Sequence, residues 1–145
     1  MAVVARTAHG QVKILLLDTN VVSILFKPAH TLHASCVRLA SGNQLVISFM
    51  TRAELLLWPK QNLWGSKRSA ELLKHMELCT TVFADEATCI HWADIVAASR
   101  LAGRPITTAD AWIAAMARQW DLPLVTVDHQ DFEHVQGITV VPVAR

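Results

Sequence analysis

The sequence predicts an α/β fold, with a central parallel sheet of four to five strands flanked by helices on both faces. Two observations carry this. The apolar runs at 13–17, 45–49 and 122–127 show little polar alternation, as in strands buried on both faces. Between them lie longer segments with apolar residues at helical spacing, and strands that alternate with helices are the pattern of a doubly wound parallel sheet. At 145 residues, 52% hydrophobic and 17% charged, the chain can bury a core without disulfides or structural metal. A single domain is expected over 13–145, preceded by a short tail at 1–12.

The first strand, 13–17, ends at Asp18, after which Val21, Val22, Leu25 and Phe26 recur at helical spacing until Pro28. A second helix is expected at 32–39, closed by the turn residues Ser41, Gly42 and Asn43. The second strand, 45–49, leads to a helix that starts near Thr51, carries Glu54 and is interrupted by Pro59. The stretch 59–66 reads as a loop. A helix over 67–78 follows, with Ala70, Leu73 and Glu77 on one face, then a short strand at 80–83. Asp85 and Glu86 suit the start of the next helix, and Gly103 with Pro105 ends it near Leu101. Thr107, three residues before Asp110, has capping spacing for a helix with Ile113, Ala114, Ala117 and Trp120 inward. Strands at 122–127 and 138–141, the latter at an edge, complete the sheet.

Composition excludes several classes. No apolar run approaches the roughly 18 residues of a membrane span, and the start of the chain lacks a signal-peptide pattern, so no membrane role and a cytoplasmic location are expected. Cys36, Cys79 and Cys89 are odd in number and lack metal-site spacing, and they read as small buried hydrophobes. A net charge of +1 gives no bulk basic field, so a nucleic acid would have to be recognised locally. The local basic candidates are Lys60, Lys67, Arg68 and Lys74 around Trp64, with Arg52, Arg100, Arg104 and Arg118 elsewhere; solvated helix faces account for most such groupings.

Four carboxylates occupy comparable places in this scheme: Asp18 after strand one, Glu54 on the helix after strand two, Asp110 in the first turn of a late helix, and Asp128 after the following strand. Ligands of open parallel sheets bind beyond the carboxyl ends of the strands, where residues distant in sequence converge. Each acid alone also fits a cap, a turn or a solvated helix face. Together they repel one another unless protons or a cation intervene. Mg²⁺ or Mn²⁺ suits carboxylate and water ligands and supports attack on a phosphate by an activated water, whereas zinc favours His or Cys.

The stretches LLLDTNVVSILFKP at 15–28, Arg52-Ala53-Glu54, TADAWIAA at 108–115 and LVTVDHQDF at 124–132 resemble the PIN-domain ribonucleases, in particular VapC-type toxins of toxin–antitoxin pairs. The likeness spans about residues 13–141. It implies a Rossmann-like sheet, a Mg²⁺- or Mn²⁺-dependent endoribonuclease, a homodimer, and inhibition by a cognate VapB-type antitoxin. The family's acidic positions fall on Asp18, Glu54, Asp110 and Asp128, as catalytic and metal-binding residues, with Asn20 and Thr126 as supporting polar neighbours. Asp18 and Asp110 are the first choices for direct ligands; Glu54 and Asp128 complete the site directly or through waters, one of them assisting proton transfer. The chain departs from the pattern at Leu57, where such proteins commonly carry glycine, and in its longer amino-terminal tail.

Two alternatives are weighed. A haloacid-dehalogenase-like phosphatase also places an Asp after strand one, but needs a second acid where this chain has Asn20. A non-catalytic nucleic-acid- or protein-binding domain has no use for four mutually repelling acids. His30 and His33 have the spacing of a metal pair but read as a solvated helix face, Trp112 and Trp120 as core or dimer interface, and Trp58 and Trp64 as contacts for an antitoxin or an RNA base.

Overall fold

The computed structural model describes residues 6, 7 and 10–144. Most of the expected tail at 1–12 lies outside the described residues; within it, β1 (Arg6–Thr7) and β2 (Gly10–Gln11) pair as an antiparallel ladder.

The main sheet has five parallel strands: β3 (Ile14–Leu17), β4 (Gln44–Ser48), β5 (Thr80–Val82), β6 (Leu124–Thr126) and β7 (Val140–Pro142), in the spatial order β5-β4-β3-β6-β7. The expected architecture holds, with the upper strand number and β7 at an edge. The chain builds outward from β3 through β4 to β5, then crosses back to lay β6 on the opposite side of β3. This reversal separates the loops after β3 and β6 and opens a crevice between them, the ordinary ligand position in such sheets.

Both sheet faces are covered, which is why β3 has no polar alternation. Leu15 and Leu17 point into one core with Ile47 and Val125, against Val21 and Val22 of α1 (Thr19–Leu25), Cys36 of α2 (His33–Ala40), Leu55 of α3 (Phe49–Gln61), and Leu72 and Met76 of α4 (Ser66–Met76). Leu16 points the other way, into a core with Val46 and Leu124, against Ile95 of α5 (Glu86–Leu101) and Ile113, Ala114 and Met116 of α6 (Thr108–Trp120). The small residues of α6 let it sit close over the centre of the sheet.

Several local expectations are corrected. Pro59 does not interrupt α3, which runs to Gln61: a proline in the last turn removes a single backbone donor, and the carbonyls of Trp58 and Pro59 accept from Asn62 and Trp64 downstream. Phe49 belongs to α3 and not to β4, because the Ser48 hydroxyl caps the helix by accepting from the Met50 amide. On α4 the inward residues are Leu72 and Met76, with Ala70, Leu73 and Glu77 exposed, so the expected face was one residue out of phase. Trp120 is 40% exposed rather than inward; it is the last residue of α6, where the chain turns away at Asp121. Of the cysteines only Cys36 is buried; Cys79 is half-buried and Cys89 lies on the outward side of α5. α5 starts after Asp85 as expected, here through a capping box with Thr88 that was not foreseen, and Thr107 caps α6 by accepting from the Asp110 amide, as its spacing suggested. No helix among the described residues is long and apolar enough to cross a membrane.

Candidate active site

The crevice at the sheet reversal receives an acid from each side. Asp18 leaves β3 and forms the N-cap of α1, its Oδ1 accepting from the Thr19 amide at 2.8 Å. It therefore serves as the helix cap while lying in the crevice. Thr126, the last residue of β6, donates its hydroxyl to Asp18 Oδ2 at 2.8 Å, and Thr126 Oγ1 itself accepts from the Asp128 amide at 3.0 Å. One buried hydroxyl thus ties the first acid to the backbone of the fourth. Asn20, one residue into α1, donates to Asp128 Oδ2 at 2.7 Å, bridging β3 and β6 a second time. Asn20 and Thr126, the two polar neighbours expected beside the acids, thus hydrogen-bond Asp128 and Asp18.

Glu54 reaches the crevice from α3. Its Oε1 accepts from Thr19 Oγ1 at 3.0 Å, and Thr19 Oγ1 lies 2.9 Å from Thr51 Oγ1. Because the Thr19 proton points at the carboxylate, Thr51 must donate to Thr19, giving a directed chain Thr51 to Thr19 to Glu54. Thr51 is three residues before Glu54 on the same helical face, and both threonines are buried. Asp110 enters from the first turn of α6, where the helix dipole favours a negative charge.

Electrostatics couple these groups. Asp18 is 5% exposed, and burial lifts its carboxyl to about 6; the charges of Asp110 and Asp128 push the same way, opposed by the hydrogen bonds from Thr126 and Thr19. Burial also raises Asp110, with repulsion from Asp131, Glu54 and Asp128 adding to it. The four expected acids therefore sense one another, and among the described residues none has an ion-pair partner: the one salt bridge joins Arg104 to Glu133. The donor set is entirely carboxylate oxygen, which fits a hard divalent cation. Among the described residues no three His, Cys, Asp or Glu side chains are grouped closely enough to hold an ion by themselves; Mg²⁺ is generally held by one or two carboxylates together with waters.

Sequence reasoning missed part of the site. Thr19 and Thr51 were not singled out, although a threonine directly after the first acid and another one turn before the second mark a buried polar layer under both. Asp131 also stands near these acids. It ends the single 3₁₀ turn at His129–Asp131, and its charge is the largest acidic influence on Asp110. His30 and His33 are used locally: His30 Nδ1 accepts from the Leu32 amide, and His33 Nδ1 meets the Ile24 carbonyl. Trp112 packs edge-on against Phe49 and stacks on Trp92. Trp64 stacks with Phe26 and lies under Arg68, whose guanidinium is 3.9 Å from the ring centre, while Lys27 stands over Trp58.

Residues 15–138 match the PIN domain family. Ribonuclease VapC1 of Haemophilus influenzae (strain R2866) is 33% identical over 128 residues, covering 86% of this chain and 94% of that protein. Among solved structures, FitAcB from Neisseria gonorrhoeae superposes with a TM-score of 0.75 at 28% identity, over 87% of this chain and 95% of that one. DNA-bound VapBC from Salmonella typhimurium shares the fold with a TM-score of 0.79 at 24% identity, over 92% and 99% of the two chains. Fold, acid placement and these likenesses agree, and the chain belongs to the PIN-domain family, with VapC ribonucleases among its relatives.

Proposed function

We propose that this protein is a divalent-metal-dependent endoribonuclease that cleaves RNA phosphodiester bonds as the toxin of a VapBC-type pair, with Asp18, Glu54, Asp110 and Asp128 as its catalytic and metal-binding acids. The observation that carries the reading is the set of four acids at the sheet reversal, electrically coupled and without a basic partner. A bound Mg²⁺ or Mn²⁺ supplies charge neutralisation, polarisation of the scissile phosphate and a more acidic attacking water.

The chain's own residues do the positioning. Thr19 and Thr126 hold both oxygens of Asp18, so its ligating direction is set before substrate arrives. Asn20 turns Asp128 and the Thr51–Thr19 pair turns Glu54 toward the same crevice, and either carboxylate is placed to take a proton from the attacking water. Asn20 is committed to Asp128, which leaves the phosphatase alternative without the second acid it needs.

The partner proposed is a VapB-type antitoxin, supported by the toxin–antitoxin complexes among the structural neighbours. Exposed Leu63 and Leu57 beside Trp58 and Trp64 provide apolar surface for protein contact, and homodimerisation in the cytoplasm belongs to the same reading. The test is cleavage of a single-stranded RNA by the purified protein. EDTA should abolish it and added Mg²⁺ or Mn²⁺ should restore it; full activity in EDTA contradicts the proposal.

A further inference from the structure

Beside the acids lies a cavity of about 280 Å³ that the proposed chemistry does not use. Asp110, Asp131, Arg104, His134, Thr107 and Gln130 all line it. Its lining thus combines two carboxylates with a guanidinium and an imidazole. Arg104 is held there by its backbone. Gly103, at φ +69, ends α5 in the left-handed region, and the Arg104 amide closes the turn on the Ser99 carbonyl at 2.9 Å. Its side chain is lightly engaged: the pair with Glu133 spans 3.5 Å between half-exposed groups, a contact that contributes little in water. His134 turns Nε2 toward Ser99 Oγ at 3.3 Å, while its Nδ1 is buried without a hydrogen-bond partner.

We infer that this cavity is a phosphate subsite for RNA, in which Arg104 grips the backbone phosphate flanking the one being cleaved and Thr107 and Gln130 hydrogen-bond the adjoining sugar-phosphate. The inference rests on the ribonuclease reading for its ligand. The chain has a net charge of +1, so its field does not draw in a polyanion, and the crevice itself is acidic. Register on a strand must then come from individual phosphate contacts, and Arg presents a planar fork suited to phosphate oxygens. Arg104 is the arginine that shares a cavity with two of the crevice acids. Gripping the neighbouring phosphate there presents the scissile bond to Asp18 and Asp110.

The experiment measures binding of a short labelled single-stranded RNA of mixed sequence by fluorescence anisotropy in EDTA over a salt series, with steady-state cleavage in Mg²⁺ alongside. Arg104→Gln should weaken binding about tenfold, lower the slope of log affinity against log salt by about 0.7, and raise KM with kcat within about twofold. Arg104→Lys should recover the slope. Arg100→Gln removes an exposed charge on the same helix end, outside the cavity, and should leave both readouts near wild type. An unchanged slope in Arg104→Gln, an equal loss in Arg100→Gln, or no RNA binding by the wild type overturns the subsite. A protein that shows the Arg104-dependent slope but never cuts RNA overturns the ribonuclease reading and leaves the subsite standing.

Discussion

On the sheet side of the crevice Asp18 is 5% exposed and both its oxygens are taken, by Thr19 and Thr126. On the helix side Asp110 is half-buried, Asp131 is exposed, and both line an open cavity with Arg104. The difference follows from what carries each group. Asp18 sits where two central strands end, so the sheet's own hydrogen bonds fix its backbone, including its amide to the Val125 carbonyl at 3.0 Å. Asp110 and Asp131 sit on a helix start and a single 3₁₀ turn, with fewer constraints and more water. One side is held in place; the other is open to solvent.

Substitutions should separate the two sides, and the largest effect is expected at Asp18. Asp18→Asn keeps the shape and should lower RNA cleavage by about 10³-fold or more, the scale seen when preorganised charge stabilisation is removed. Activity within tenfold of wild type in a steady-state assay would make the two sides equivalent. Next comes Thr126→Val, which removes the donor to Asp18 and the acceptor for the Asp128 amide. Cleavage should fall about 10- to 100-fold and stability by about 1–3 kcal/mol, read by denaturant unfolding. Losing the Thr126 bond also pushes the Asp18 carboxyl further up, so the acid limb of the activity profile should move to higher pH. The smallest effect belongs to Asp131→Asn: a loss of a few-fold in kcat/KM, since it acts on Asp110 through charge across a wetter space. A loss at Asp131 matching that at Asp18 would erase the contrast.

The same contrast explains what could be read in the sequence. Leu15, Leu16 and Leu17 are buried on both faces because the sheet is covered twice, and that burial is written directly as an apolar run ending in Asp18. Asp110 and Asp128 were singled out by the same reasoning, from a first helical turn and a strand end, and Glu54 from the helix that follows β4. Thr19 and Thr51 escaped it: their hydroxyls matter only once α1 and α3 are brought together, which local pattern does not encode. Asp131 and Arg104 share a cavity with Asp110 through the placement of the 3₁₀ turn and the end of α5. Pro59 misled because a proline in the last turn costs only one donor, the one that would have reached the Leu55 carbonyl, and the helix runs on to Gln61.

Thermal unfolding of the wild type and Asp18→Asn at pH 7.5, in EDTA and with Mn²⁺, tests most directly the claim that a cation relieves this acidic cluster. Because the folded carboxyl of Asp18 is raised from 3.8 to about 6, its contribution to stability is full below pH 4 and is lost as pH rises through 6, leaving the metal-free protein about 3 kcal/mol worse at pH 7.5. Asparagine avoids that burden and keeps both hydrogen bonds, since the Thr126 hydroxyl can accept as well as donate. In EDTA the variant should therefore melt above the wild type, and Mn²⁺ should raise the wild type while leaving the variant nearly unmoved. A wild type that is the more stable protein in EDTA and indifferent to Mn²⁺ would contradict the account.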